Sequence, residues 1–372
     1  MAAKKKLGIE NVNKAKPAAA GKTAEIIPLK DFFDSLGKKA PWLLLGLIFL
    51  IGFLVFKNYL LFENIFLFKD IGSDTYNVFY PYLYGTTEYI HQYGLPRWSF
   101  QAGMGKNLLP FFLNDPLNII FYLTGKEHIA FGLVYKELAK VLLGGICFFY
   151  YLKTLRISNF TAIIGSLLFA FCGFMIVGGC WYVFSAEAVM FAFLLLSFEL
   201  LFMKNNWYLF PIAVCIICIS NPFNLYVFGL FMLSYIVLRL LQSNKFNIRE
   251  GGLFFAKVIG LGIVGVLLSG PFLLENTLQL LESPRGSGQY AYTNTLSSGP
   301  IFAFTDLSQL GTCILRFFSN DLLGTGNDFK GWSNYLEAPM FYCGIPCLIL
   351  LPQVFSFLDK RLKKVFAHAS LE

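Results

Sequence analysis

Residues 42–62, WLLLGLIFLIGFLVFKNYLLF, carry a single charge, Lys57. A hydrocarbon core of roughly 30 Å is crossed by a helix of about 20 apolar residues, and this run meets that length. No small-residue cleavage motif follows it, so it reads as an uncleaved signal anchor. Seven further segments are comparable: 129–152, 160–180, 183–203, 207–221, 223–241, 252–274 and 338–358. The segment 207–221 is short and bracketed by Pro211 and Pro222. Composition agrees, at 56% apolar and 14% charged, against about 45–50% and 25% in soluble domains. Mean hydropathy is +0.60. These values exclude a disordered chain, a nucleic-acid-binding domain and a small disulfide scaffold. The expected fold is all-α: a polytopic membrane bundle of about eight transmembrane helices.

Charge sets the expected orientation. The net charge of +8 is concentrated in the leader and in short turns: Lys153/Arg156, Lys204, Arg239/Lys245/Arg249, then Lys360/Arg361/Lys363/Lys364. Basic turns stay on the cytoplasmic side, which predicts an N-in, C-in topology. The domains then read as a basic leader (1–40), a membrane domain (41–358) and a basic end (359–372), with long outer loops at 63–128 and 275–337. Within the leader, Leu29, Phe32, Phe33 and Leu36 have helical spacing, predicting a surface helix from Pro28 to Lys39. Leu371-Glu372 reads as a cloning remnant, and the chain as the front part of a longer protein.

The two outer loops are where chemistry is expected, because loops carry function on a rigid scaffold. Asp70 and Asp74 stand just beyond the first span. Thr75 to Tyr93 can form a helix along the membrane, with Asp74 either its N-cap or a catalytic or metal-binding carboxylate. The loop is dense in tyrosine, and Tyr76, Tyr80 and Trp98 suit sugar stacking or a membrane interface. Gly103-Met104-Gly105-Lys106-Asn107 offers amides and a lysine to an anion, a weak signal by itself. Residues 108–124 are apolar but broken by Pro110, Asn114-Asp115 and Pro116, as in a re-entrant or interfacial hairpin. Asp115 reads first as a turn residue.

Charges inside spans need partners or a function. Lys136 and Lys140 share a helix face, with Glu137 placed to pair Lys140. The same face could instead present Lys136 to a lipid-borne phosphate. Glu187 falls near the outer end of its span and Glu199 near the inner end. In the second loop, Ser283–Gly299 reads as a mobile segment with Arg285 at its base, a planar cation suited to phosphate. Glu337 stands at the mouth of the last span. Cys215 and Cys218 have CxxC spacing in an apolar run and read as packing residues. Cys180, Cys313 and Cys343 leave one disulfide open. No Walker A loop, GxSxG elbow, HExxH pair or dinucleotide fingerprint is present. The three histidines are too few for a histidine-based metal site.

Ser73-Asp74 before an aromatic helix, then Pro96-Arg97-Trp98, Gly103–Asn107 and Asn114–Asn118 give an order that resembles the YfhO-type bacterial membrane proteins. These belong with the GT-C class of integral-membrane glycosyltransferases. Tyr342-Cys343-Gly344-Ile345-Pro346 is similar to the family as well. The resemblance implies transfer of a sugar from a polyprenyl-phosphate carrier to a cell-envelope acceptor, such as a teichoic-acid-like polymer, on the outer face of the bacterial cytoplasmic membrane. It puts Asp74 in the position of the base or metal-dependent organiser, with Mg or Mn as the candidate metal and no nucleotide cofactor. Asp70 and Glu337 are then helpers, and Arg285, Lys106, Arg97 and Lys136 are candidate donor-phosphate ligands. The rival readings are a transporter or flippase of a lipid-linked sugar and a scaffold of an envelope-synthesis complex.

Overall fold

The computed structural model describes residues 32–68, 74–242, 248–284, 286, 291, 294 and 306–357. Among these, the chain is helical apart from loops and one two-stranded ribbon. The run that decides the fold forms α1 (Ala40–Leu60), with Pro41 in its first turn, where no intrahelical N–H is lost. Before it lie a short turn of helix, Phe32–Ser35, and a 3-10 turn, Gly37–Lys39, where the sequence predicts one helix from Pro28. The first loop holds α2 (Tyr80–Tyr93), the strands β1 (Trp98–Ser99) and β2 (Lys106–Asn107), and α3 (Ile119–Thr124).

Next come α4 (Ile129–Thr154), α5 (Asn159–Ala170), α6 (Gly173–Ile176), α7 (Val183–Lys204), α8 (Leu209–Ser220), α9 (Pro222–Gln242) and α10 (Ile248–Leu268). α11 (Gly270–Glu282), α12 (Leu307–Phe318) and α13 (Ile345–Phe357) follow. α4 and α7 form the centre. α4 packs against α1, α5 and α7, and α7 carries α8, which holds α9 and α10. Leu44, Ile48, Leu133, Ile163 and Met175 fill one core; Phe198, Phe210, Ile217 and Met232 fill the other. α10 approaches α8 closely at Gly265, where a Cβ would stand 2.6 Å from the Pro211 carbonyl oxygen; small residues allow such contacts between membrane helices.

Among the described residues, four helices are long and apolar enough to cross a membrane: those over Gly37–Leu60, Val183–Lys204, Pro222–Gln242 and Arg249–Leu268. The expected span 160–180 is instead a broken pair, bent by 43° between Ala170 and Gly173, and counting it as one span gives five. The other segments of the expected eight differ from simple spans in length, charge or continuity among the described residues. α4 has 26 residues, but Lys136, Glu137 and Lys140 interrupt its apolar character. α8 has 12 residues, too few to cross the core alone. The expected span 252–274 divides at Ser269 into α10 and α11, and the last helix begins at Ile345 rather than at 338. Large apolar side chains on α1, α9 and α10, such as Leu50, Phe231 and Leu267, point outward. Faces of this extent belong against lipid.

One polar brace lies inside the bundle. Arg239 of α9 donates through Nε to Glu199 Oε1 at 2.7 Å and through Nη2 to Oε2 at 2.9 Å. Tyr235 donates to the same carboxylate at 2.6 Å, and its hydroxyl lies 3.0 Å from that of Tyr151 on α4. Glu199 is 0% exposed, so this bidentate pairing is what permits its charge in the interior.

Candidate functional site

α2 is entered through a π-helical turn, Thr75–Phe79. Thr75 Oγ1 donates to the Cys180 carbonyl at 2.6 Å and pins the turn to the 3-10 segment Gly178–Trp181. Asp74 precedes the turn with helical backbone angles, φ −61° and ψ −31°, and no capping hydrogen bond. An N-cap has non-helical angles and accepts an amide proton, so Asp74 does not cap. Its half-buried carboxylate makes no hydrogen bond or ion pair among the described residues. Asn77 and Val78, one turn further on, open onto a cleft.

That cleft, of about 330 Å³, lies between the start of α2 and the β1–β2 hairpin, and Tyr82, Gln101 and Lys106 line it. The GMGKN stretch is the hairpin tip: Gly103 and Gly105 take φ of +54° and +126°, which glycine adopts without strain. Gly105 N–H donates to the Ala102 carbonyl at 3.0 Å, so it closes the turn. Lys106 is half-buried and has no carboxylate partner among the described residues. Its Nζ stands 4.1 Å from the Phe111 ring centroid and 5.7 Å from that of Tyr82, a cation–π arrangement. Burial pulls its pKa below the ordinary lysine value. Tyr82 donates to the Leu108 carbonyl at 2.9 Å, and burial pushes its phenol up to about 12. Asn107 Nδ2 donates to Glu275 Oε2 of α11 at 2.9 Å, joining the two long loops.

Behind Tyr82 lies a buried ionic cluster. Asp115 accepts the Leu117 N–H at 3.1 Å and so caps a 3-10 turn, as its reading as a turn residue expects. Its other oxygen lies 3.0 Å from Lys136 Nζ and 2.6 Å from Lys140 Nζ. Burial alone would push the Asp115 carboxyl up; the two ammonium groups hold it down at about 2. Lys140 also donates to Glu137 at 2.7 Å and to the Tyr182 carbonyl at 2.6 Å, and Ser185 donates to Glu137 at 2.6 Å. Lys136 donates to Asn118 Oδ1 at 2.9 Å. Two lysines and two carboxylates therefore neutralise one another between α4, α7 and the 114–118 turn, so Lys136 is committed to the protein rather than free for phosphate.

The other residues singled out from the sequence are dispersed. Arg97 is exposed and lends only its carbonyl to the hairpin, accepting from Leu108 N–H at 2.8 Å. Tyr76 is exposed, while Tyr80 is half-buried beside Tyr84, 6.5 Å between centroids. Trp98 is exposed and stands opposite Asn107 in the register of the hairpin. Glu337 is exposed and accepts from Ser333 Oγ at 3.0 Å. Asp70 and Arg285 lie outside the described residues, as does most of 283–299. No disulfide joins Cys180, Cys313 and Cys343. Glu187 accepts from Asn221 Nδ2 at 3.0 Å at the break between α8 and α9. Among the described residues no three His, Cys, Asp or Glu side chains converge as a metal site.

Two residues escaped the sequence reading. Glu275 ties the loops together, and Arg316 of α12 is fully buried, donating through Nη1 to the carbonyls of Tyr335 and Ala338 at 3.0 and 2.8 Å. Its position on the packed face of an amphipathic helix was the available signal.

Long apolar helices with outward-facing apolar surfaces, and buried ion pairs within the bundle, define a polytopic helical membrane protein. The chain belongs to the family described as "Bacterial membrane protein YfhO", whose match runs over residues 42–371 and so extends well beyond the first loop. No curated protein and no solved structure matches the chain.

Proposed function

We propose that this YfhO-family chain is a glycosyltransferase that moves a sugar from a polyprenyl-phosphate carrier to a cell-envelope acceptor on the outer face of the cytoplasmic membrane. The observation that carries this reading is the pairing of Asp74, whose carboxylate is unengaged among the described residues, with a cleft one turn away that holds Lys106, half-buried and without a carboxylate partner among the same residues. A carboxylate near an acceptor hydroxyl acts as general base while the anomeric carbon is attacked. The departing lipid phosphate gains negative charge, which a partly desolvated ammonium stabilises better than one in water. Tyr82, whose phenol stays protonated, supplies a wall between this cleft and the ionic cluster. The basic turns support an outer placement of both long loops, the side on which a lipid-borne donor would be presented.

The test is sugar transfer from a labelled polyprenyl-phosphate sugar into envelope polymer, in membranes carrying wild type or Asp74→Asn at matched levels. Transfer lost in the variant supports the enzyme; transfer retained removes Asp74 from the chemistry. A second reading, transport of a lipid-linked sugar, is favoured by the helix break at Ser220-Asn221-Pro222 beside Glu187, because transporters build sites at discontinuous helices. Movement of the labelled lipid across vesicles without bond formation would select it.

A further inference from the structure

The hairpin that closes the Lys106 cleft has a second face. Tyr89, Gln92 and Tyr93 of α2, with Trp98, Phe100 and Gln101 of the hairpin, bound a separate groove of about 280 Å³. Ser99 and Gln101 line both spaces, so one short ribbon separates a cationic cleft from a groove with no charged side chain in its lining. The rings are arranged as platforms. Those of Tyr89 and Tyr93 stand 5.0 Å apart at 52°, and those of Trp98 and Phe100 stand 6.2 Å apart at 71°. Gly105 backs the indole of Trp98: a Cβ there would lie 2.9 Å from Cζ2. The plane is thus fixed on one side, while the residue remains 54% exposed on the other.

We infer that this groove binds a neutral, hydroxyl-rich saccharide. The C–H faces of a pyranose are apolar and suit an aromatic platform, while the hydroxyls need amides of the kind that Gln92 and Gln101 supply. An anionic ligand would lack a cation here, and a hydrocarbon chain would leave both amides without partners. The inference rests on the transfer reading for one element, that the bound saccharide is the acceptor; the groove itself is argued from its lining.

Saturation-transfer NMR on the full chain in lipid nanodiscs tests it, with neutral oligosaccharides of glucose, galactose and N-acetylglucosamine as probes. The expected result is binding by wild type and a loss of about tenfold, or about 1.4 kcal/mol, in Trp98→Ala and in Tyr93→Ala. Trp207→Phe, on the turn between α7 and α8, is expected to bind as wild type. No saturation transfer from any probe overturns the inference, as does unchanged affinity in Trp98→Ala. Brominated lipid supplies a further arm, in a chain whose other four tryptophans are phenylalanine. Strong quenching of Trp98 there means the groove is filled by lipid and also overturns it. Binding without sugar transfer in the Asp74 experiment keeps the groove and rejects the enzyme. Transfer without binding does the reverse.

Discussion

The carboxylate of Asp115 lies 2.6 Å from Nζ of Lys140, which joins a turn in the first long loop to the interior of α4 through a buried charge. Lys140 is 1% exposed, and removing it would leave Asp115 and Glu137 with one cation between them. Breaking a buried pair by removing one partner costs about 3–5 kcal/mol. Lys140→Met is expected to lower the midpoint of thermal unfolding in detergent sharply. The double variant Lys140→Met/Asp115→Asn is expected to recover part of the loss. Equal midpoints for wild type and Lys140→Met would mean the cluster contributes nothing.

Acid should release the same turn. The Asp115 carboxyl titrates near 2 in the fold against an ordinary value of 3.8, a difference of about 2 kcal/mol. Because the folded value is the depressed one, this stabilisation is complete above about pH 4 and is lost as pH falls through 2. Unfolding midpoints measured from pH 6 to pH 2 should drop for wild type at the acid end. Asp115→Asn should start lower and lack that component of the drop.

Lys106 is expected to govern donor affinity rather than the fold. A hydrogen bond to a charged group contributes about 1.5–3 kcal/mol, so Lys106→Met should raise KM for the polyprenyl-phosphate sugar by about tenfold or more. Lys106→Arg should recover much of the loss. Burial lowers the Lys106 pKa, so donor binding should weaken with rising pH before an ordinary lysine would deprotonate. A KM indifferent to the substitution would remove Lys106 from the site.

The brace in the second core offers a test remote from the chemistry. Arg239→Ala would strand Glu199, and the expected cost is again about 3–5 kcal/mol, read as reduced yield of folded protein and a lower unfolding midpoint. Tyr235→Phe removes one hydrogen bond to the same carboxylate at 2.6 Å and should cost less, about 1–3 kcal/mol. A Tyr235 variant as damaged as the Arg239 variant would contradict this ordering.

Much of the helical framework was legible because apolar runs and their flanks are local properties. Residues 42–62 and 183–203 emerge as α1 and α7 within a few positions. The break between Ala170 and Gly173 was not legible, since Phe171-Cys172 keeps the segment apolar while the backbone turns. The contact of Glu137 with Lys140 could be read from helical spacing alone. Their union with Asp115 could not, because it depends on a turn 21 or more positions away folding back onto α4. Asp74 reads from the sequence as either a cap or a chemical group, and its backbone angles and lack of a capping bond remove the cap alone. Lys136 pointed to phosphate by charge, yet tertiary packing supplied it with a carboxylate.

The wide turn at Thr75–Phe79 has a consequence for how Asp74 relates to α2. Each residue of an α-helix advances the chain by about 100° around its axis, and a π-turn absorbs roughly one extra residue. Removing a single residue from this turn would restore an even α-helical repeat and leave the rest of α2 in nearly the same phase relative to Asp74, with Tyr82 still on the wall of the cleft. The phase between the carboxylate and the tyrosines therefore tolerates a one-residue deletion inside this turn, whereas the same deletion within α2 would rotate every later side chain by about 100°.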